Sequence, residues 1–173
     1  MRSTLEDLKS RRACRSYKPE QITDEELDAV LEAGTYAPTG RGKQAPILVA
    51  VQNPETVKKL SQLNAGIMGN SGDPFYGAPT VIVVLADRSV GTYLYDGSCV
   101  MANLLNAANA LGLGACWIHR AREVFDSDEG KALLKEWGIE GDYEGIGNCI
   151  LGYKAREDAP AAPRKDGYII KIK

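Results

Sequence analysis

Apolar residues recur along the chain either at helical spacing or in short unbroken runs, with Gly and Pro marking the joints between them. Ser3 followed by Glu6 forms a capping box, and Leu5 and Leu8 predict a short helix ending near Arg12. Thr23 and Glu26 repeat that signal, and Leu27, Val30 and Leu31 give a second helix its apolar stripe up to Gly34. Residues 37–46, Ala-Pro-Thr-Gly-Arg-Gly-Lys-Gln-Ala-Pro, set two glycines between prolines and predict a loop. Ile47 to Val51 is an apolar run bounded by Pro46 and Pro54, as expected of a buried strand. A helix from Glu55 to about Leu63 follows, with Asn53 as its cap, and then a Gly-, Asn- and Pro-rich stretch over 64–79.

Thr80 to Ala86 reads TVIVVLA, the β-branched run of a central strand covered on both faces. The longest helix is predicted from Tyr93 to Leu111. Val100, Met101, Leu104, Leu105, Ala107, Ala108 and Leu111 lie nearly all round it, and Asn103, Asn106 and Asn109 form a polar stripe. So apolar a helix in so small a chain implies burial against a partner subunit. Gly112 and Gly114 end it, and Ala115 to Ile118 form a strand leading to His119 and Arg120. Ser127 caps a helix from Asp128 to Trp137, and Ile146 to Leu151 is the last core strand. The Pro/Ala-rich tail from Ala155 to Pro163 cannot pack alone, whereas Tyr168 to Ile172 alternates and could add a strand, to this chain or to a neighbour. Strands and helices alternate throughout, so the class is α/β or α+β with one sheet between helices.

Length and composition narrow the setting. At 173 residues, 44% hydrophobic and 25% charged, the chain reads as one domain, 1–173, with 155–173 as a C-terminal tail expected to pack on a partner subunit. No window reaches the roughly 18 apolar residues of a membrane span and no leader pattern opens the sequence, so a cytoplasmic protein without membrane contact is expected. Cys14, Cys99, Cys116 and Cys149 are dispersed, and with the single histidine His119 they predict reduced thiols and no metal site. The net charge of −2 conceals a split: the first and last twenty residues each carry six basic against three acidic side chains, and the middle carries nine against seventeen. The basic ends are either solvated tails or two clusters converging on one anion. The acidic middle opposes nucleic-acid binding, which needs a basic face of some extent.

Arg11, Arg12 and Arg15 lie together at the end of the first helix. They could hold a phosphate through charge-assisted hydrogen bonds or complement the helix dipole. In the loop Pro38-Thr39-Gly40-Arg41-Gly42-Lys43-Gln44, glycines allow close backbone approach to a ligand and Gln44 offers a two-sided amide. Lys43 is followed by Gln44 and not by Ser or Thr, which departs from the nucleoside-triphosphate loop. His119 is either satisfied at a strand end or lines a pocket, and Cys116 reads as a buried thiol. No nucleophile–base or paired-carboxylate arrangement stands out, so no catalytic side chain is assigned. A scaffold rich in donors and poor in catalytic groups fits a protein whose cofactor performs the chemistry.

Three motifs in order give the chain a recognisable likeness. Arg-Arg-Ala-Cys-Arg-Ser-Tyr at 11–17, Ala-Pro-Thr-Gly-Arg-Gly-Lys-Gln at 37–44 and Ala-Leu-Gly-Leu-Gly-Ala-Cys-Trp-Ile at 110–118 resemble the motifs of the flavin-dependent nitroreductase family, in a short form. The resemblance spans nearly the whole chain. It implies an α+β fold with a mixed central sheet surrounded by helices, a homodimer with FMN at the subunit interface, and NADH or NADPH as donor. Nitroaromatics, quinones or related acceptors would be reduced by a ping-pong mechanism. Arg11, Arg12, Ala13 and Arg15 would border the FMN phosphate and ribityl oxygens, with Arg164 or Lys165 added from the tail. Pro38, Thr39, Gly40, Gly42 and Gln44 would come from one chain, and the backbone of Trp117, Ile118 and His119 from the other, near flavin N5 and O4. Asn70 would touch the ring. The chain departs from the family pattern at Ala13 (Ser), Gly42 (Asn), Ala45-Pro46 (Pro-Trp) and His119 (Gly). The alternatives are another flavin reductase, acting on an alkene or a carbon–halogen bond, and a non-enzymatic nucleotide-binding module.

Overall fold

The computed structural model describes residues 3–173. Its centre is the strand that the β-branched run encodes, Thr80–Asp87 (β2), with Val81 to Ala86 all fully buried. Alternation splits that run between two layers. Ile82, Val84 and Ala86 join Val30, Met101 and Leu104 on one face, while Val81, Val83 and Leu85 join Leu60, Phe125 and Leu133 on the other. Each such side chain contributes on the order of 1.5–3 kcal/mol of burial.

The remaining elements, in chain order, are α1 (Thr4–Ser10), α2 (Asp24–Thr35), a 3-10 turn (Gly40–Gly42), β1 (Pro46–Val51) and α3 (Pro54–Met68). After β2 come α4 (Tyr93–Ala110), β3 (Gly114–Ile118), α5 (Ala121–Asp126), α6 (Asp128–Glu136) and β4 (Tyr143–Gly152). The strands lie in the order β1-β2-β4-β3 and every neighbouring pair is antiparallel. The expected mixed sheet is thus antiparallel in its strands, and among the described residues a parallel pairing survives only in the isolated bridge between Ala13 and Ala115. Helices α2 and α4 cover one face; α3, α5 and α6 cover the other. Gly97 lets α4 seat on β4, because a Cβ there would collide with Ile146.

Both predicted capping boxes form, at Ser3/Glu6 and Thr23/Glu26, and Ser127 caps α6. Elsewhere tertiary context changed the outcome. β1 was expected as a buried strand but is an edge strand whose residues are mostly half-buried. Helix α3 runs through Gly66 to Met68 and stops at Gly69, which adopts the left-handed conformation, so part of the expected 64–79 loop is helical. The six-residue helix α5 was not expected. α4 is only partly enclosed within one chain: Leu94, Tyr95 and Leu111 are exposed, while Asn103 donates to Ala33 O at 3.0 Å and Asn109 to Asp7 O at 3.0 Å. From Ala155 onward the tail is exposed, and Tyr168 to Ile172 forms no strand within the chain. No helix among the described residues is long and apolar enough to cross a membrane.

Candidate functional site

The N-terminal segment is laid along the sheet edge by backbone bonds. Cys14 N–H donates to Ala115 O at 3.0 Å, Lys18 N–H to Tyr153 O at 2.9 Å and Ala155 N–H to Ser16 O at 3.0 Å. The approach is close, since a Cβ on Gly114 would collide with Cys14. The arginine-rich run therefore lies beside β3, and its far end meets the start of the C-terminal tail. The N-terminal segment and the root of the C-terminal tail meet at this edge.

A cleft of about 310 Å³ opens at the end of β3. Of the residues singled out in sequence, Arg15, Asn70, Trp117, Ile118 and His119 line it together, joined by Cys116, Arg120, Asp73 and Tyr76. Burial pushes the Cys116 thiol above its ordinary pKa, and the positive charges of Arg15 and Arg11 oppose that shift, which puts both guanidiniums in reach of β3. No carboxylate pairs with either of them among the described residues. Arg12 behaves differently: its Nη1 donates to Lys9 O at 2.8 Å and Arg11 O at 2.6 Å, closing the end of α1, while its buried Nε has no partner. Arg12 realises the helix-end reading of the cluster, while Arg11 and Arg15 remain cationic donors without a carboxylate partner among the described residues.

The cleft wall is stiffened from behind. Asn64, fully buried on α3, donates its Nδ2 to His119 O at 2.7 Å and accepts Arg120 Nε on Oδ1 at 3.1 Å. Asp73 is committed to its own turn, accepting Ser61 Oγ at 2.6 Å, Phe75 N at 2.9 Å and Gly77 N at 2.7 Å. Sequence reasoning missed Asn64 and Asp73 because both fall in the stretch read as loop. Arg120 carried one signal, its position next to His119.

Other predicted residues are not in this cleft within one chain. Thr39 and Gln44 line a separate pocket of about 520 Å³ with Leu31, Pro46 and Val100, on the α2/α4 face of the sheet. Gly40, with Arg41 and Lys43, borders a third hollow beside Val90 and Thr92. The loop is nonetheless ordered: Gly42 N–H donates to Thr39 O at 3.1 Å, Gln44 N–H to Thr39 Oγ1 at 3.2 Å, and Arg41 and Gln44 both take positive φ. Pro38 leads into it. Arg164 and Lys165 stand exposed in the tail, where Arg164 Nη2 reaches Ala162 O at 2.6 Å and Lys165 sits 5.5 Å from the Tyr168 ring centre. Ala13 is held at its bridge with Ala115.

Fold and cleft define an α+β protein that gathers unpaired cationic donors at one sheet edge, around a groove without a nucleophile–base pair. The pattern of the Nitroreductase family matches residues 8–74 and 67–153, and the chain belongs to that family. A protein of Archaeoglobus fulgidus named "Putative NADH dehydrogenase/NAD(P)H nitroreductase" is 31% identical over 163 residues, covering 91% of this chain and 88% of its own. Among solved structures, a nitroreductase with bound FMN from Bacteroides fragilis matches with TM-score 0.91 and 29% identity over 100% of both chains. A nitroreductase with bound FMN from Desulfitobacterium hafniense matches with TM-score 0.89 and 28% identity, again over 100% of both.

Proposed function

We propose that the chain is an FMN-dependent NAD(P)H oxidoreductase whose two equivalent sites form between the subunits of a homodimer. The observation that carries the reading is the pairing of residues 13–18 with β3 and with the root of the tail, which brings unpaired Arg15 to the cleft at Trp117–His119 and holds unpaired Arg11 within electrostatic reach of Cys116 on β3. The donor set suits a phosphate: two unpaired guanidiniums and a buried Arg12 Nε without an acceptor. Bound FMN would supply the hydride-transfer chemistry, from NAD(P)H in one half-reaction and to an acceptor in the next, a ping-pong sequence. The chain's own residues bind and orient. Arg11 and Arg15 would neutralise the phosphate and donate to the ribityl oxygens, Asn70 would meet the ring, and the Trp117–His119 backbone forms a wall that Asn64 holds in place. Such a fixed wall lowers the reorganisation needed at the moment of transfer. Nitroaromatics and quinones are the acceptor classes that the reading implies.

Two further features support a composite site. The loop Pro38–Gln44 lies away from the cleft of its own chain, so a second subunit is needed to bring it there. Exposed Leu5, Leu8, Leu94 and Tyr95 on α1 and α4, and Tyr168, Ile169, Ile170 and Ile172 in the tail, provide apolar surface for that subunit and for the tail to grip it. The test is spectroscopic: purified protein should carry flavin absorbance bands that bleach anaerobically with NADH or NADPH and return on adding a quinone or nitroaromatic. A colourless protein that takes up no added FMN would overturn the reading.

A further inference from the structure

Arg120 follows β3 in the left-handed region, at φ 75° and ψ 11°, a conformation that bulky side chains seldom adopt. One buried side chain holds it there. The Asn64 amide spends its donor on the His119 carbonyl and its acceptor on Arg120 Nε, so a single group from α3 fixes two consecutive cleft residues. With Nε engaged, the guanidinium keeps its two terminal nitrogens, and neither has an acceptor among the described residues. The one acidic residue lining the cleft, Asp73, already accepts a hydroxyl and two backbone N–H groups. A strained backbone held by a buried amide is maintained for what the side chain does in the groove. An end-on pair of N–H donors is the geometry that meets a carboxylate or phosphate with two parallel bonds.

We propose that Arg120 is a specificity-determining residue that selects, among molecules entering the cleft, those bearing an oxyanion substituent, with Asn64 as its positioning residue. The inference rests on the flavoenzyme reading for the identity of those molecules. They are an acceptor carrying a carboxylate or a reduced nucleotide carrying an extra phosphate, and both present the same chemistry to the fork.

The test compares the parent holoprotein with Arg120→Asn, since asparagine tolerates the left-handed region while removing the charge, the fork and the Nε bond to Asn64. Arg120→Lys, which keeps the charge, is the second variant. Calorimetric dissociation constants are measured for benzoate against benzyl alcohol, and for adenosine 2′-phosphate against adenosine. In parallel, KM ratios are measured for 4-nitrobenzoate against nitrobenzene and for NADPH against NADH. The expected result is that the preference for the anionic member of at least one pair falls about tenfold or more in Arg120→Asn, with part of it retained in Arg120→Lys. The benzoate and nitrobenzoate arms identify the acceptor as the source; the adenosine and nucleotide arms identify the donor. Unchanged ratios in every arm, or loss of FMN itself from Arg120→Asn, overturn the proposal. A protein that binds no flavin yet loses its anion preference in the variant would refute the flavoenzyme reading and leave Arg120 its role; normal flavin reduction with unchanged ratios would do the reverse.

Discussion

Asp96 on α4 ties the 37–44 loop before β1 to the core: its Oδ1 accepts the Gly40 N–H at 2.9 Å and its Oδ2 accepts the Thr92 hydroxyl at 3.0 Å. The carboxylate is 4% exposed, and Gly40 packs so closely on Thr92 that a Cβ there would collide with it. A buried acceptor of this kind costs about 1–3 kcal/mol when its donors are left unpaired. Asp96→Ala should therefore lower the thermal midpoint by several degrees, at about 2–4 °C per kcal/mol for a domain of this size. FMN affinity should fall with it. Asp96→Asn, which keeps an acceptor for Gly40, should do less on both measures, read by circular dichroism melts and flavin fluorescence titration.

Arg11 and Arg12 should separate in their effects. Arg11 is unpaired, so Arg11→Ala should weaken FMN binding roughly tenfold or more at an unchanged melting temperature. Arg12 also closes the end of α1, so Arg12→Ala should lose stability as well as affinity. An unchanged FMN dissociation constant in both variants would remove these arginines from the cofactor site.

Assembly follows from the exposed apolar residues of α1, α4 and the tail. Light scattering at micromolar protein should return twice the 18.7 kDa chain mass. Ending the chain after Lys154 should weaken the dimer. A particle of single-chain mass would contradict both the dimer and the composite site.

His119 lines the cleft through an exposed side chain, but its carbonyl is what the fold fixes. Stopped-flow reduction of bound flavin by NAD(P)H should stay within about tenfold of the parent in His119→Ala, below the roughly 10²–10⁴-fold typical of general acid–base catalysis. The larger change is expected in the half-reaction with the acceptor. A thousandfold loss of flavin reduction with FMN fully bound would show that the side chain acts directly.

Acid should expose one identifiable loss of stability. Tyr153 OH donates to Glu26 Oε2 at 2.7 Å and the Thr23 N–H donates to the same oxygen at 3.0 Å, together holding the Glu26 carboxyl below its usual value. A folded-state pKa below the unfolded one gives stability that is complete above the unfolded value, near 4.3, and is lost as pH falls through the folded value. Urea unfolding should therefore separate the parent from Glu26→Gln at about pH 7, and the gap should close towards about pH 3. A gap that persists unchanged in acid would show that the charge contributes nothing.

What the sequence determined by itself is local or periodic. The Ser3, Thr23, Asn53 and Ser127 caps form because each side chain finds its N–H donor within three residues, whatever the rest of the chain does. The Thr80–Ala86 run specified a central strand because a β-branched segment apolar on both faces is satisfied only between two layers. The motifs at 11–17, 37–44 and 110–118 were legible as residue types, and so was the family they signal. Only the tertiary structure decided how they meet. The antiparallel order β1-β2-β4-β3 depends on long-range pairing that no local spacing encodes, and it left Ile47–Val51 at an edge although its run of apolar residues resembled a core strand. Helix α3 continued past Leu63 because Asn64 and Ala65 are buried against the body of the fold, which set Asn64 under His119 and Arg120. The arginines divided into Arg12, which caps a helix, Arg15, which lines the groove, and Arg11, left near β3 without a carboxylate partner among the described residues, because backbone pairing to β3 fixed where each side chain could reach. Periodicity records which face of an element is buried, while the contents of a site depend on which elements are folded against one another.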